Sequence, residues 1–300
     1  MRRLPHGAVD CHCHVFGPTQ RNPLAPERRY DPAPAPIEAC IAADHALGFE
    51  RMVLVQSSAY SADNSCLLDA IGIVGVGRCR GVVTLDEDTG DDALVAMTQH
   101  GVRAARLNFV HGAELPSLAS LQRLAARIAP HGWHLEIFAL SAFIERFVEI
   151  VPVLPVDIVL DHMGSLPPEP GPAKPALERI RSFLATGRGW IKLSAYRNSL
   201  AGPPFADVAE GVRSAAFEFP QRCVFGTDWP HLNAPHPVTS ESAIDLLLNW
   251  IDRDEALMER ILVRNPEALY GFATSSGGLS EGSPSHRSSD QHLARPRRPS

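Results

Sequence analysis

Long hydrophobic runs are missing from this sequence. The basic segment at residues 1–7 is followed by no apolar stretch of signal-peptide length, and no later stretch approaches a membrane span. An excess of positive charge is missing as well, since 28 Lys and Arg face 34 Asp and Glu and give a formal net charge of -6. Binding of nucleic acid or anionic lipid needs a basic surface. We therefore expect a cytoplasmic protein that binds neither nucleic acid nor membranes and whose partners are small molecules.

Cysteine spacings typical of zinc sites are also absent. The six cysteines are Cys11, Cys13, Cys40, Cys66, Cys79 and Cys223. Only the first two are close in sequence, and next-but-one neighbours on a strand form neither the usual zinc spacing nor an easy disulfide. We expect reduced and mostly buried thiols. No Gly-x-Gly-x-x-Gly motif follows the first strand candidate, which argues against an open dinucleotide-binding sheet.

The sequence does contain a regular alternation of short β-branched segments and longer amphipathic segments, the pattern of a parallel sheet covered by helices. The strand candidates are Ala8–His14, Arg51–Gln56, Cys79–Thr84, Val102–Asn108, His134–Phe138, Asp157–Asp161, Trp190–Ser194 and Cys223–Thr227. The helix candidates are Ile37–Leu47, Asn64–Val74, Asp91–His100, Leu118–Ala129, Ala142–Ile150, Pro175–Thr186, Phe205–Glu218, Ser242–Trp250 and Glu255–Val263. Eight alternations within about 270 residues match the usual size of a closed barrel. We predict an α/β fold, a single (β/α)8 TIM barrel over residues 1–272.

Two segments stand apart from this alternation. Residues 273–300 are rich in Ser, Gly, Pro, His and Arg and contain few apolar residues, so we predict a disordered C-terminal tail. The segment Gly17–Pro36 is rich in proline and arginine and is long for a barrel connection. Long connections of this kind favour a lid or a binding loop over a plain linker.

The first strand candidate places polar groups at every second position. A strand has a period of two, which predicts that Asp10, His12 and His14 share one face while Cys11 and Cys13 share the other. Three titratable groups facing an ordinary core would each lose water at a cost of kilocalories. The pattern therefore indicates a strand end that faces a wet pocket, although two core histidines with satisfied hydrogen bonds remain the alternative.

Other polar residues fall at the carboxyl ends of later strands, where the active sites of such barrels lie. They are Arg106, Asn108, His162, Lys192, Ser194, Arg197 and Asp228. Asp228 ends the last strand and is a candidate for taking a proton from water or for binding a metal. Alternation puts Asp161 and His162 on opposite sides, and the imidazole is the better candidate for the pocket. Arg106 and Arg197 predict an anionic substrate, and Tyr30 in the long first loop can reach over the mouth.

With these residues in place the chain resembles the lactonase branch of the amidohydrolase superfamily over roughly His6 to Phe272. The resemblance rests on Asp10–Pro18, Arg106–Phe109, Leu160–Gly164, Lys192–Arg197, Gly226–His231 and Asn265–Phe272. It implies a hydrolase that opens a small carboxylated lactone, such as 2-pyrone-4,6-dicarboxylate, a muconolactone or a sugar-acid lactone. It also implies that Asp228 is the general base, that His12, His14 and His162 surround the lactone carbonyl, and that Tyr30, Arg106 and Arg197 contact substrate oxygens. Asn108 completes the expected binding residues.

Two departures from that family pattern alter the expected substrate. The family has a second arginine shortly after the fourth strand, where this chain has residues 110–113 without arginine, and a tyrosine at the end of strand five, where this chain has Phe138. A site that lacks two polar contacts fits a lactone with one carboxylate or with hydroxyls.

The cofactor prediction is that no metal is required, because the strand-four and strand-five ends lack the ligands of two-metal relatives and because arginines repel a divalent cation. If one Zn or Mn ion is bound, its ligands are expected to be His12, His14, His162 and Asp228. The chain would then be a metal-dependent hydrolase or nonoxidative decarboxylase of the same superfamily. A third possibility is a barrel that binds ligand without turnover, but such a protein has no need of Asp228 and His162 together.

Overall fold

The computed structural model describes residues 4–110 and 115–275, and over these ranges the chain forms one eight-stranded parallel sheet in the order β1 to β8. The strands are β1 Val9–Cys13, β2 Arg51–Val55, β3 Cys79–Val83, β4 Val102–Asn108, β5 His134–Phe138, β6 Ile158–Leu160, β7 Gly189–Lys192 and β8 Cys223–Val224. Each strand pairs in parallel with the next along the chain. The predicted (β/α)8 barrel is confirmed.

The helices lie between and after these strands. They are α1 Ile37–Leu47, α2 Ser65–Val74, α3 Asp91–Gln99, α4 Leu118–Ile128, α5 Ile144–Ile150, α6 Pro170–Ala185, α7 Ala209–Glu218, α8 Ser240–Trp250, α9 Glu255–Glu259 and, after a π-helical turn at Arg260–Arg264, α10 Asn265–Tyr270. The predicted last helix thus runs on to residue 270 with a change of hydrogen bonding at its centre. The helix ends follow local signals: Thr239 and Ser242 form a capping box at α8, and Gly48 ends α1 with φ of 95°.

The barrel closes where the chain after β8 meets β1. The Cys11 amide donates to the Phe225 carbonyl over 2.9 Å, the Asp228 amide donates to the His12 carbonyl over 2.8 Å, and the His14 amide donates to the Trp229 carbonyl over 2.8 Å. These bonds fix residue 228 beside residues 12 and 14. The seam of the barrel therefore brings together the first and last groups of candidate site residues.

The inside of the barrel has an apolar floor and a charged layer above it. Valines from β1, β2, β3, β6 and β8 pack with Leu269, Tyr270 and Phe272, which cover the amino-terminal mouth. Arg51 and Arg80 hold this plug: Arg51 pairs with Glu267 over 3.0 Å, and Arg80 donates to the Tyr270 carbonyl over 3.0 Å. The plugged end leaves the carboxyl-terminal mouth as the open face.

Two segments lie outside the alternation of strands and helices, the C-terminal residues 273–300 and the loop at residues 17–36. Residues 276–300 of the predicted tail lie outside the described residues, whereas residues 273–275 contact the barrel, since Arg51 donates to the Ala273 carbonyl over 3.0 Å and the Ser275 amide donates to Glu267 over 2.7 Å. The loop at residues 17–36 returns to the barrel through a bridge between Phe16 and Ala35. Across 4–110 and 115–275, none of the helices is both long and apolar enough to cross a membrane.

Candidate active site

A cavity of about 410 Å³ opens at the carboxyl-terminal mouth of the barrel. Its lining includes seven of the eight residues predicted for the site: His14, Tyr30, Arg106, Asn108, His162, Arg197 and Asp228. The eighth, His12, is fully buried directly beneath it, with its ring centroid 4.8 Å from that of His162 and 4.9 Å from that of His14. The structure thus places these eight residues together at one mouth of the barrel.

The predicted alternation along β1 is wrong at Asp10. The pairing of β1 with β2 moves from Asp10 opposite Met52 to Cys13 opposite Leu54, so β1 holds one extra residue, a β-bulge. His12 and His14 face the interior, but Asp10 accepts hydrogen bonds from the amide and hydroxyl of Thr227 on the neighbouring segment. Asp10 therefore secures the barrel seam and does not line the cavity. All six cysteines are buried and unpaired, as expected.

Asp228 has one engaged oxygen and one free oxygen. Its Oδ2 accepts from Arg197, with Nε at 2.7 Å, and from the Tyr196 hydroxyl at 3.2 Å. Its Oδ1 is buried and has no hydrogen-bond donor among the described residues, and it lies 3.4 Å from His14 Nε2 and 3.6 Å from His12 Nε2. Burial is the largest single influence and opposes ionisation, but Arg197 together with His162, His14 and His12 outweighs it and holds the pKa of Asp228 well below its usual range. Asp228 is thus a carboxylate with one oxygen available for a proton.

The hydrogen bonds of the two β1 histidines determine which nitrogen of each carries the proton. His14 Nδ1 lies 2.8 Å from the Val55 carbonyl, which only accepts, so Nδ1 is protonated and Nε2 of the neutral ring is an acceptor. His12 Nδ1 lies 3.1 Å from the Lys192 ammonium, which only donates, so the neutral His12 ring carries its proton on Nε2. His12 Nε2 is 3.2 Å from His14 Nε2. The His12 N–H therefore points at His14.

Lys192 belongs to a buried ionic cluster below the cavity, not to the rim where the sequence placed it. Its ammonium lies 2.6 Å from Glu136 Oε2 and 3.3 Å from Asp161 Oδ1, and all three side chains are fully buried. Burial lowers the pKa of Lys192, but the two carboxylates outweigh it and raise that pKa overall. Burial and then the Lys192 charge hold the pKa of His12 well below its usual value. His12 is consequently neutral at neutral pH.

Sequence reasoning missed Glu136 and chose wrongly at residue 161. Asp161 faces the barrel interior, where its Oδ2 accepts from Arg106 Nε and Nη2 over 3.1 and 3.0 Å. His162 also reaches the cavity, because its backbone adopts φ of 48° and the chain turns at once. Both residues therefore serve the site. The Glu136 signal was present in the sequence, since His134, Glu136 and Phe138 share one strand face.

The remaining predicted binding residues line the cavity with part of their hydrogen-bonding capacity already used. Arg106 also donates to the Gln56 carbonyl over 3.0 Å, and the Tyr30 hydroxyl lies 2.8 Å from Ser57 Oγ. Asn108 accepts from the Val110 amide over 3.2 Å. Ser194 lies outside the cavity lining and donates to the Gly226 carbonyl over 2.7 Å, so it ties β7 to the last strand.

Part of the cavity lining is apolar. Phe138, Leu140, Val110, Leu232 and Pro235 contribute to it. The Phe138 ring stands edge-on to His162 with centroids 4.8 Å apart. Phe138, which stands where the family pattern has a tyrosine, therefore places an apolar ring next to the His162 imidazole. Residues 111–114, where the second arginine of the family pattern was missing, lie outside the described residues.

A parallel eight-stranded barrel with histidines on its first strand, a histidine after the sixth and an aspartate after the eighth defines a class of barrel hydrolases. The amidohydrolase family model matches residues 9–272, and the chain belongs to that family.

The chain is also similar to individual proteins of comparable length within this family. The chain is 34% identical over 279 residues to 2-pyrone-4,6-dicarboxylate hydrolase of Comamonas testosteroni, covering 89% of this chain and 91% of the relative. It is 30% identical to 4-sulfomuconolactone hydrolase of Hydrogenophaga intermedia, covering 89% and 90%. A Pseudomonas putida crystal structure described as a 2-pyrone-4,6-dicarboxylic acid hydrolase superposes with a TM-score of 0.79 at 31% identity, covering 91% of this chain and 100% of that one.

Proposed function

We propose that this protein hydrolyses the ester bond of a small anionic lactone. The observation that carries the proposal is the free Oδ1 of Asp228, a buried and ionised carboxylate oxygen that faces three histidines at the base of a cavity. The names of the relatives support the substrate class, because one acts on a pyrone dicarboxylate and another on a sulfonated muconolactone.

The cationic side of the cavity supports an anionic substrate. Arg197 uses Nε and Nη2 to hold Asp228 and the Leu232 carbonyl, and in the described residues its Nη1 makes no hydrogen bond. A guanidinium with free N–H groups at a cavity wall binds carboxylate or sulfonate well. Since Phe138 contributes an apolar ring to the lining, we propose a lactone with one anionic group near Arg197 and an unsubstituted ring edge at Phe138.

In the proposed reaction, Asp228 Oδ1 takes a proton from water while the oxygen of that water attacks the lactone carbonyl. The carbonyl π electrons move to its oxygen, which is stabilised by the N–H groups of Arg106 and His162 on the cavity wall. When the tetrahedral intermediate collapses, the bond to the ring oxygen breaks. Asp228 gives the proton that it took from water to that oxygen, and the product is a ring-opened carboxylic acid, which releases its remaining proton to solvent.

Whether the site also fits a metal ion can be tested against its hydrogen bonds. Ligand atoms of His12, His162 and Asp228 all lie within 4.8 Å of one another, a suitable size for one divalent ion. However, Lys192 directs the His12 proton to Nε2, the nitrogen that faces Asp228, so no lone pair is available there. With its proton on Nε2, His12 cannot complete the ligand set that it forms with His162 and Asp228, and we propose a metal-independent reaction.

The deciding experiment is a substrate panel run with and without chelator. Purified protein is assayed against 2-pyrone-4,6-dicarboxylate, muconolactones and aldonolactones after dialysis against EDTA. We expect turnover of one anionic lactone class that EDTA leaves unchanged. A loss of activity that added Zn²⁺ or Mn²⁺ restores would overturn the metal-independent reaction in favour of a metal-dependent hydrolase or decarboxylase.

The role of the base is tested by substitution. Asp228→Asn keeps the shape of the side chain but removes the proton acceptor, and we expect kcat to fall by about 10²- to 10⁴-fold. Ser194→Ala, outside the cavity, is the matched control and should retain turnover. If Asp228→Asn kept nearly full turnover while His12→Asn abolished it, the base would be wrongly assigned.

A further inference from the structure

The buried amine of Lys192 has no role in the chemistry proposed above, yet it touches the histidine at the centre of the site. Its Nζ is 3.1 Å from His12 Nδ1, 2.6 Å from Glu136 Oε2 and 3.3 Å from Asp161 Oδ1. An unneeded ion pair at a fully buried position is expensive, because desolvation of the two charges offsets much of their attraction. The position therefore calls for a reason beyond stability.

We propose that Lys192 is a positioning residue that holds His12 in the Nε2-protonated form and thereby keeps divalent metal out of the site. An ammonium has three donors and no acceptor, so contact with Lys192 forces Nδ1 of His12 to accept. The only proton of the neutral ring then lies on Nε2. The inference rests on the proposed metal-independent function and names the residue that enforces it.

A second group beside His12 can take the place of the amine when Lys192 is substituted. Asp161 Oδ1 is buried, makes no hydrogen bond in the described part of the chain, and lies 3.5 Å from His12 Nδ1. Without Lys192, His12 donates from Nδ1 to this oxygen and presents a bare Nε2 to Asp228. A carboxylate that orients a histidine toward a metal is the usual second layer of a zinc site.

Removal of the Lys192 amine therefore leaves a set of available metal ligands at the base of the cavity. His12 Nε2 and Asp228 Oδ1 are 3.6 Å apart, and His162 Nδ1 is a buried nitrogen with no partner among the residues described. Removing a positive charge next to the site also favours a cation there. One amine thus separates a metal-free arrangement from a metal-binding one on the same scaffold.

The direct test is the position of the ring protons, which needs no substrate. Long-range ¹H–¹⁵N NMR of protein labelled with ¹⁵N-histidine distinguishes protonated from unprotonated ring nitrogens, and the His12 signals are identified by their loss in His12→Gln. We expect a protonated Nε2 in the unaltered protein and a protonated Nδ1 in Lys192→Met. A wild-type His12 with its proton on Nδ1 would overturn the proposal, whatever the enzyme does to lactones.

Metal binding is the second readout. Zn²⁺ is titrated by calorimetry, and Co²⁺ by its visible spectrum, into Lys192→Met and into Lys174→Met, a matched control at an exposed lysine on α6. We expect at least about tenfold tighter Zn²⁺ binding to Lys192→Met, a difference of about 1.4 kcal/mol. Equal binding by the two variants would contradict the proposal.

A double variant and an activity assay distinguish the role of Lys192 from a folding defect and from a failure of the proposed function. If Lys192→Met fails to fold because Glu136 is left unpaired, the double variant Lys192→Met/Glu136→Gln removes both charges together and carries the same two measurements. On a muconolactone, which carries one carboxylate, we expect kcat of the variant to fall about 10²-fold. Absence of any lactone turnover by the unaltered protein would refute the proposed function and leave the NMR result for Lys192 standing.

Discussion

Acid should destabilise this protein through His162, by an amount that follows from its surroundings. The ring is buried, and burial is the main cause that lowers the pKa of His162 to about 4. In the unfolded chain a histidine has a pKa of about 6.5. Between these two values the unfolded chain binds a proton that the folded protein does not, so stability rises with pH across this window and is lost as pH falls from about 6.5 to about 4.

The contribution of His162 to the free energy of unfolding can be measured between pH 7.5 and pH 5.0. At about 1.36 kcal/mol per pKa unit, the His162 contribution between pH 7.5 and pH 5.0 is about 2 kcal/mol. The perturbation is His162→Asn, because asparagine tolerates the left-handed backbone found at this position. The assay is urea unfolding of both proteins at the two pH values. The free energy of unfolding of the variant should improve relative to wild type by about 2 kcal/mol on acidification.

The control for this experiment is a substitution at an exposed histidine. His45→Asn removes an imidazole from the exposed surface of α1 and accounts for general effects of losing a histidine. If the unfolding free energies of wild type and His162→Asn changed in parallel from pH 7.5 to 5.0, the folded protein would not be holding this ring neutral. The oxyanion role given to a neutral His162 would then fail with it.

Two further predictions concern the barrel seam and the base. In Gly226→Ala the new Cβ would lie 2.3 Å from His12 Cβ and 2.5 Å from the His12 amide nitrogen, so β1 must shift. Thermal unfolding should show that the free energy of unfolding falls by about 1–3 kcal/mol, and turnover should be lost as well. Gly72→Ala, with open space at its Cβ, is the control, and equal melting of the two variants would contradict the packing argument. Arg197→Gln removes a cation that lowers the pKa of Asp228, so the acid limb of kcat/KM on a muconolactone should move to higher pH. An unmoved limb would mean that Asp228 is not the titrating base.

The strands and the identity of the cavity residues were accessible from sequence for one physical reason. The strands are short, several of them end on or are soon followed by a polar residue, and in parallel strands of a barrel those ends meet at one mouth. The strand boundaries at Val102–Asn108 and His134–Phe138 agree with the prediction at both ends. The convergence of His14, His162 and Asp228 on one cavity follows from topology alone.

Side-chain direction was not accessible where the backbone departs from regular geometry. The β-bulge in β1 turns Asp10 away from the cavity, and the positive φ at His162 lets two consecutive residues, Asp161 and His162, serve one site. Neither a bulge nor a left-handed residue changes the hydrophobic period from which a strand is read. The Lys192 and Glu136 pair was hidden for a different reason, since the two residues lie 56 positions apart and meet only once the barrel closes.

The charges that surround His12 and His162 balance one another. Lys192, Arg106 and Arg197 pair with Glu136, Asp161 and Asp228, so the cations and carboxylates of this cluster balance. An anionic substrate placed against Arg197 adds one negative charge next to Asp228. By Coulomb's law that charge raises the proton affinity of the base at the moment when the lactone arrives, and the low dielectric of a buried site strengthens the effect. In the proposed reaction the anionic group would thus contribute to the basicity of Asp228 as well as to substrate affinity.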